Sequence, residues 1–269
     1  MKKIALLTTA GLLMSLQVEL ASAASLSAAQ RALEAKDYQT ALQELRPLAQ
    51  EGDAAALNLL GQAYENGWGV TADPEQARRY YEQGARMGNL DSVNSLRALK
   101  NKAFKAEFDN ILPQAESGNA AAQNRVGEMY EFGQGVERDG ATAFSWYQKA
   151  AAQGNVTAWH NLGRAYNFGT GVSQDYTKAE EWYIKAAERG HQKAMFFLGT
   201  LYATSHGGDT SHSQDVIAYA WMSNVAQLGD PTAMAIESRL KMKLNEEQLR
   251  EAQALAEEYK SQYVTPFKQ

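Results

Sequence analysis

The stretch Ala158-Trp159-His160-Asn161-Leu162-Gly163-Arg164-Ala165-Tyr166-Asn167-Phe168-Gly169-Thr170-Gly171-Val172, continued by Asp175, Ala179, Trp182, Tyr183, Ala186, Ala187 and Gly190, decides the fold. Earlier by 36 residues the same phrase stands as Ala122, Val126, Gly127, Tyr130, Gly133, Gly135, Val136, Asp139, Ala143, Trp146, Tyr147, Ala150, Ala151 and Gly154. Another copy runs through Ala56, Leu60, Gly61, Tyr64, Gly67, Gly69, Val70, Asp73, Ala77, Tyr80, Tyr81, Ala85 and Gly88. A fixed period of this length signals stacked units, none of which can bury its apolar face alone.

Each unit reads as two helices. Ala158, Leu162 and Tyr166 are spaced i, i+4, i+8 and share a face. A glycine beside the Leu (Gly61, Gly127, Gly163, Gly199) costs up to ~1 kcal/mol in a helix, so its recurrence predicts a close approach of the partner helix. Gly-x-Gly after the Tyr ends the first helix through the left-handed conformation. The following Asp caps the second helix, and Asp73-Pro74 puts a proline at its first position. Ala179, Trp182, Tyr183 and Ala186 then form an apolar stripe.

These residues resemble the Sel-one-like repeat (SLR) family, relatives of the tetratricopeptide repeat, with three good copies between Gly52 and Gly190. The resemblance implies an all-α fold: a right-handed α/α solenoid of helical hairpins closed by a C-terminal capping helix. It also implies a non-catalytic adaptor or scaffold. In bacteria many such proteins are exported and serve signalling, envelope polymer export, host interaction or toxin neutralisation.

The expected organisation is a signal peptide (1–23), an N-terminal hairpin (24–51), repeat 1 (52–88), a degenerate short hairpin (89–117), repeats 2 (118–153) and 3 (154–189), a divergent repeat 4 (190–229) and C-terminal capping helices with a tail (230–269). The degenerate stretch lacks the turn motif; Leu90–Lys100 and Lys102–Glu116 read as its two helices. Its second half matches the N-terminus at an offset of 66, with Tyr38, Leu42, Leu45, Pro47 and Ala49 answered by Phe104, Phe108, Ile111, Pro113 and Ala115. Repeat 4 replaces Gly-x-Gly-Val by a longer loop carrying His206, Asp209, His212 and Asp215. Asn245 caps an amphipathic last helix built on Leu249, Ala252, Leu255, Ala256 and Tyr259, and the tail from Ser261 is expected to fray.

Lys2 and Lys3, an uncharged run from Ile4 to Leu16 and Ala21-Ser22-Ala23 read as an export signal cleaved after Ala23. Without cysteine there is no lipoprotein anchor and no disulfide, so the expected location is the periplasm, without membrane insertion. The formal charge of −5 disfavours nucleic acid and favours a basic protein or peptide partner. No cofactor, metal or catalytic residue is assigned, and a monomer is the default.

Counting from the first-helix Ala, offsets +2, +6 and +9 form a stripe beside the core face. The resemblance implies that first helices line the concave surface, which gives the partner-binding groove to Asn58, Gln62, Asn124, Glu128, Glu131, His160, Arg164, Asn167, Phe196 and Thr200. Phe196 and Phe197 face either the groove or the next repeat. Two alternatives stand beside this reading. The His206–Asp215 loop offers imidazoles and carboxylates for a metal-assisted hydrolase, yet its spacing fits no zinc motif and two glycines leave it mobile. The Trp-Tyr pairs at 146–147 and 182–183 offer a polysaccharide platform, yet their place on the alanine stripe makes them core.

Overall fold

The computed structural model describes residues 25–267, which form helices joined by turns and short loops, with no strand among them. The export segment at 1–23 lies outside the described residues. The helices are α1 (residues 25–34), α2 (Tyr38–Gln50), α3 (Ala54–Asn66), α4 (Pro74–Arg86), α5 (Leu90–Glu116), α6 (Ala120–Phe132), α7 (Gly140–Ala152), α8 (Val156–Phe168), α9 (Tyr176–Ala187), α10 (Gln192–Ala203), α11 (Gln214–Gln227), α12 (Pro231–Lys243) and α13 (Glu246–Tyr259). The chain forms two compact units, one ending at Ala103 and one beginning at Phe104.

In each unit the hairpins α3–α4, α6–α7, α8–α9 and α10–α11 are the repeats. Gly67, Gly133 and Gly169 end their first helices in the left-handed conformation. The turn is then closed by one recurring bond, from the capping Asp N–H to the first-helix Tyr carbonyl: Asp73 to Tyr64 at 2.8 Å, Asp139 to Tyr130 at 2.9 Å and Asp175 to Tyr166 at 3.0 Å.

The in-helix glycines have a specific occupant. A Cβ on Gly61, Gly127 or Gly163 would lie 2.4, 2.6 and 2.5 Å from a ring carbon of Tyr81, Tyr147 and Tyr183. These tyrosines, twenty residues on, are essentially fully buried. So the close approach is ring against bare backbone, and in repeat 4 the methionine Met222 takes the place against Gly199. Within each Trp-Tyr pair the Tyr is core, whereas Trp146 and Trp182 are only half-buried.

The degenerate hairpin is not a hairpin. Residues 90–116 form one continuous helix, α5, and the boundary between the compact units falls inside it. The reason is visible at residues 97–103, Arg-Ala-Leu-Lys-Asn-Lys-Ala, which offer neither glycine nor proline to stop a helix. Each half still does its repeat task. Ser92 is fully buried against Gly84, and Phe104 packs on Gly135 as Tyr38 packs on Gly69.

The C-terminal tail also departs from expectation. The capping box of Asn245 and Gln248 starts α13 as expected, but the chain does not fray after it. Lys260–Val264 continues as a π-helical turn and Thr265–Phe267 as a 3-10 turn, with Tyr263 and Val264 buried.

Candidate functional site

In the unit beginning at Phe104, the first helices α6, α8 and α10 bound a pocket of about 720 Å³. Arg125, Glu128, Phe132 and Gln134 line it from the α6 side, Thr157, His160, Asn161 and Arg164 from α8, and residues 190–193 from the start of α10.

Its floor is a hydrogen-bonded network. Asn124 Nδ2 donates to Glu128 Oε1 at 3.0 Å, and Asn161 Nδ2 donates to Asn124 Oδ1 at 2.9 Å, joining α6 to α8. Arg125 forks onto Glu107 at 2.6 and 2.9 Å and reaches Gln134 at 2.8 Å. Arg125 thereby holds the Glu107 carboxyl below its ordinary range. Arg164 Nη2 donates to Glu131 Oε1 at 2.8 Å, while the other oxygen of Glu131 accepts the Tyr147 hydroxyl at 2.6 Å. Burial, then this carboxylate, pushes the Tyr147 hydroxyl pKa up. Charged groups tied by such paired, directional bonds lose little freedom when a ligand arrives.

The wall toward α10 is aromatic. His160 stacks on His191 at 4.8 Å between ring centres and tilts against Phe197 at 5.4 Å. Burial, reinforced by His191, Arg164 and Lys193, pushes the His160 pKa down to about 3, so the ring is neutral. At the rim Phe132 is 53% exposed, and the Arg164 guanidinium lies 5.5 Å from its ring; Phe168, one repeat on and also exposed, lies outside the lining and meets Phe197 edge-on at 6.0 Å. Large exposed rings beside pre-positioned polar groups are what interfaces use as anchors.

The Sel1 repeat pattern matches residues 54–89, 120–155, 158–191 and 192–230, more than half of the chain. The chain belongs to the Sel1 repeat family. A curated relative, a chitin synthase regulator of Saccharomyces cerevisiae named SKT5, is 33% identical over 109 residues, covering 37% of this chain and 16% of that protein. An uncharacterised protein of Neisseria meningitidis serogroup B is 28% identical over 138 residues, covering 38% of this chain and 30% of its own length. Both are thus matched over less than a third of their lengths. Among solved structures, the protective antigen c5321 of uropathogenic Escherichia coli, which displays an SLR fold, superposes with a TM-score of 0.54 at 29% identity, covering 84% of this chain and 50% of that one. A Sel1 repeat protein from Oxalobacter formigenes superposes with a TM-score of 0.45 at 26% identity, covering 86% of this chain and 98% of that one.

Within this Sel1 repeat chain the pocket gathers Glu128, His160 and Arg164 from the expected stripe. The rest take other places. Asn124 and Glu131 are buried in the floor behind it. Asn167 is half-buried and gives its carbonyl to Gln174; Phe196 is half-buried edge-on to Phe197, and Thr200 bonds the Phe197 carbonyl. Asn58 and Gln62 lie in the other unit, Asn58 buried. Lining residues outside the expected stripe, such as Thr157, Asn161, Arg125 and Phe132, sit at offsets −1, +3 and +10. With +6 they make an i, i+4, i+7, i+11 face, turned by roughly 60° from the stripe at +2, +6 and +9.

The His206–Asp215 loop of this Sel1 repeat chain is pinned rather than mobile. Gly208 N–H donates to Glu180 Oε2 at 2.7 Å, Asp209 N–H donates to the Tyr202 hydroxyl at 3.1 Å, and that hydroxyl bonds Glu180 in turn. The four side chains proposed as ligands diverge. His206 meets Thr204 and Tyr176, His212 meets Glu251, Asp209 accepts from Ser211, and Asp215 pairs with Lys243. Among the described residues no three metal-ligating side chains converge.

Proposed function

We propose that this chain is an exported, periplasmic scaffold that holds a protein or peptide partner in the α6–α8–α10 pocket and performs no chemistry there. The observation that carries this reading is the pocket itself: a polar floor already bonded into place beneath the exposed Phe132. Nothing in it pairs a nucleophile with a base, and burial shifts both of its stacked imidazoles, His160 and His191, toward the neutral form. The rim refines the partner. Lys193 and the outward side of Arg164 offer donors while Glu128 accepts, so a segment bearing both a carboxylate and a donor fits better than a uniformly basic one. Of the roles SLR proteins serve, envelope signalling, polymer export and toxin neutralisation all require such a grip.

The test replaces Phe132 and Arg164 together by Ala and captures partners from periplasmic extract by crosslinking through a photoreactive residue at Thr157. Loss of two anchors predicts at least a tenfold fall in captured partner. Capture at wild-type strength would remove the pocket from consideration. Mass spectrometry of the mature chain tests export separately, with Ala24 expected as its first residue.

A further inference from the structure

We infer that the outer groove between α7 and α9 docks a helical partner segment that is acidic and carries aromatic residues. This surface is separate from the α6–α8–α10 pocket, and the inference does not depend on that reading.

The chain itself shows what fills such a groove. At repeat 4 the segment after α12 lies back along α11 and covers it. Trp221 packs under Tyr259 at 4.3 Å and Tyr263 at 4.9 Å, and Asn224 Nδ2 donates to the Ala256 carbonyl at 2.8 Å. Tyr263, Val264 and Phe267 then close over Gly190, Met195 and Leu228. The fit at Gly190 is tight, since a Cβ there would lie 2.5 Å from the Phe267 ring.

One repeat earlier the same positions are Gly154, Trp159, Trp182, Lys185 and Arg189, by the 36-residue period and the three-residue loop insertion. Gly154, Lys185 and Arg189 are exposed and Trp182 is half-buried, whereas Trp159 is itself buried, with its indole N–H given to the Ala151 carbonyl. A Cβ on Gly154 would meet no atom within 4 Å, where its counterpart meets Phe267. In the place taken by tyrosine rings at repeat 4 stand two cations. Lys185 Nζ lies 4.8 Å from the Trp159 ring and 5.0 Å from Trp182, and the Arg189 guanidinium lies 6.0 Å from Trp159. Lys149 repeats the arrangement over Trp146 at 4.0 Å on α7. Among the described residues none of the three cations has a carboxylate within ion-pair distance.

The chemistry of the occupant follows. The groove keeps the one tryptophan that receives aromatic rings, Trp182 in place of Trp221, and exchanges Asn224 and Leu228 for Lys185 and Arg189. At repeat 4 Asn224 meets the carbonyl just before Glu257 and Glu258, so a cation at that position faces the acidic part of such a segment. Residues 246–259 carry five glutamates against one arginine. A segment of this composition sets its rings on Trp182 and its carboxylates on Lys185 and Arg189.

The probe is a labelled synthetic peptide of residues 246–267, titrated into the full chain and followed by fluorescence anisotropy at low and high salt. Saturable one-to-one binding is expected, weakened by salt and at least tenfold weaker in the Lys185→Glu/Arg189→Glu variant, whose changes lie on exposed side chains. A peptide with Tyr259, Tyr263 and Phe267 replaced by Ala is expected to lose binding as well, while Arg164→Ala in the protein leaves it unchanged. No saturable binding would overturn the inference. So would binding indifferent to Lys185→Glu/Arg189→Glu, which means the peptide only exchanges with the chain's own tail. A dimer of the free protein that this variant abolishes would give the groove to a second copy and overturn the partner assignment.

Discussion

Gly163→Ala isolates the contact on which each repeat is built. The new methyl would stand 2.5, 2.6 and 3.0 Å from three carbons of the Tyr183 ring, where carbon pairs rest near ~3.5 Å. The ring must therefore move by roughly 1 Å. It has nowhere to go: Tyr183 is fully buried and stacks on Phe197 at 5.4 Å with planes 13° apart. Overpacking of this kind costs about 1–3 kcal/mol, while Ala in place of Gly in a helix interior returns up to about 1 kcal/mol. With three atoms in conflict the upper end applies, leaving a net loss of about 2 kcal/mol. For a chain of this size that is a fall of about 4–8 °C in melting temperature, read by far-ultraviolet circular dichroism. Replacing Tyr183 by Leu in the same chain should cancel most of the penalty of the Ala, a coupling that a double-mutant cycle measures. If Gly163→Ala melts at or above the wild-type temperature, helix propensity outweighs ring packing, and the recurring glycine has some other cause.

Two further changes test the polar interior. The folded His160 pKa of about 3 lies below the ordinary 6.5, so the unfolded chain binds the extra proton first. The stability this ring contributes is intact above pH 6.5 and falls with pH by about 1.4 kcal/mol per unit toward 3; His160→Gln should flatten urea midpoints over that window by one proton's worth, and an unchanged slope would contradict the burial. Asn224→Ala removes the bond to the Ala256 carbonyl and leaves buried acceptors on α11 and α13 less satisfied, which costs about 1–3 kcal/mol; amide exchange should quicken first in α13, and uniform protection would show that its aromatic packing holds it alone.

What the sequence makes legible is whatever recurs. Capping aspartates, Gly-x-Gly turns and the alanine stripe repeat at one spacing, so a single structural reason must serve every copy, and hairpins follow. The tyrosine against the glycine was equally periodic, but nothing in the spelling of Gly163 tells whether backbone or ring approaches it. Single events are harder. Residues 97–103 merely lack a stop signal, and an absence of glycine does not announce a 27-residue helix as clearly as its presence announces a turn. The pocket face at −1, +3, +6 and +10 is turned by roughly 60° from the stripe at +2, +6 and +9 and shares +6 with it, so the two faces are hard to tell apart from spacing alone. Asn124 and His160 look like surface residues by type and are buried by their partners across the next helix. Tail residues such as Tyr263 and Val264 carry no periodic context at all, and their burial depends on Gly190 and Met195 far away in the chain.

The position nine residues after the first-helix Ala carries a coupled choice that crosses from one repeat to the next. In repeat 1 Glu65 accepts the Tyr81 hydroxyl at 2.9 Å, with Lys102 at 3.8 Å. In repeat 2 Glu131 accepts Tyr147 and is met by Arg164 at 2.8 Å. Repeat 3 has Asn167 there, and the residue corresponding to Arg164 is Thr200, so both the acid and its cation are missing. The Tyr183 hydroxyl is buried without a hydrogen bond of good geometry, with Asn167 the polar group beside it. A carboxylate under a buried tyrosine needs a further donor to offset its desolvation, a cation at Glu65 and Glu131 and the Gly208 N–H at Glu180, and position 167 has neither beside it. Asn167→Glu alone should therefore destabilise the chain by about 1–3 kcal/mol at neutral pH, despite offering Tyr183 an acceptor, and its penalty should shrink as the pH falls and the new carboxyl takes up a proton. Adding Thr200→Arg should recover at least about 1 kcal/mol of that loss. Should Asn167→Glu by itself raise the urea midpoint, the hydroxyl bond outweighs the buried charge, and the pairing of acid with cation across neighbouring repeats is not what the fold requires.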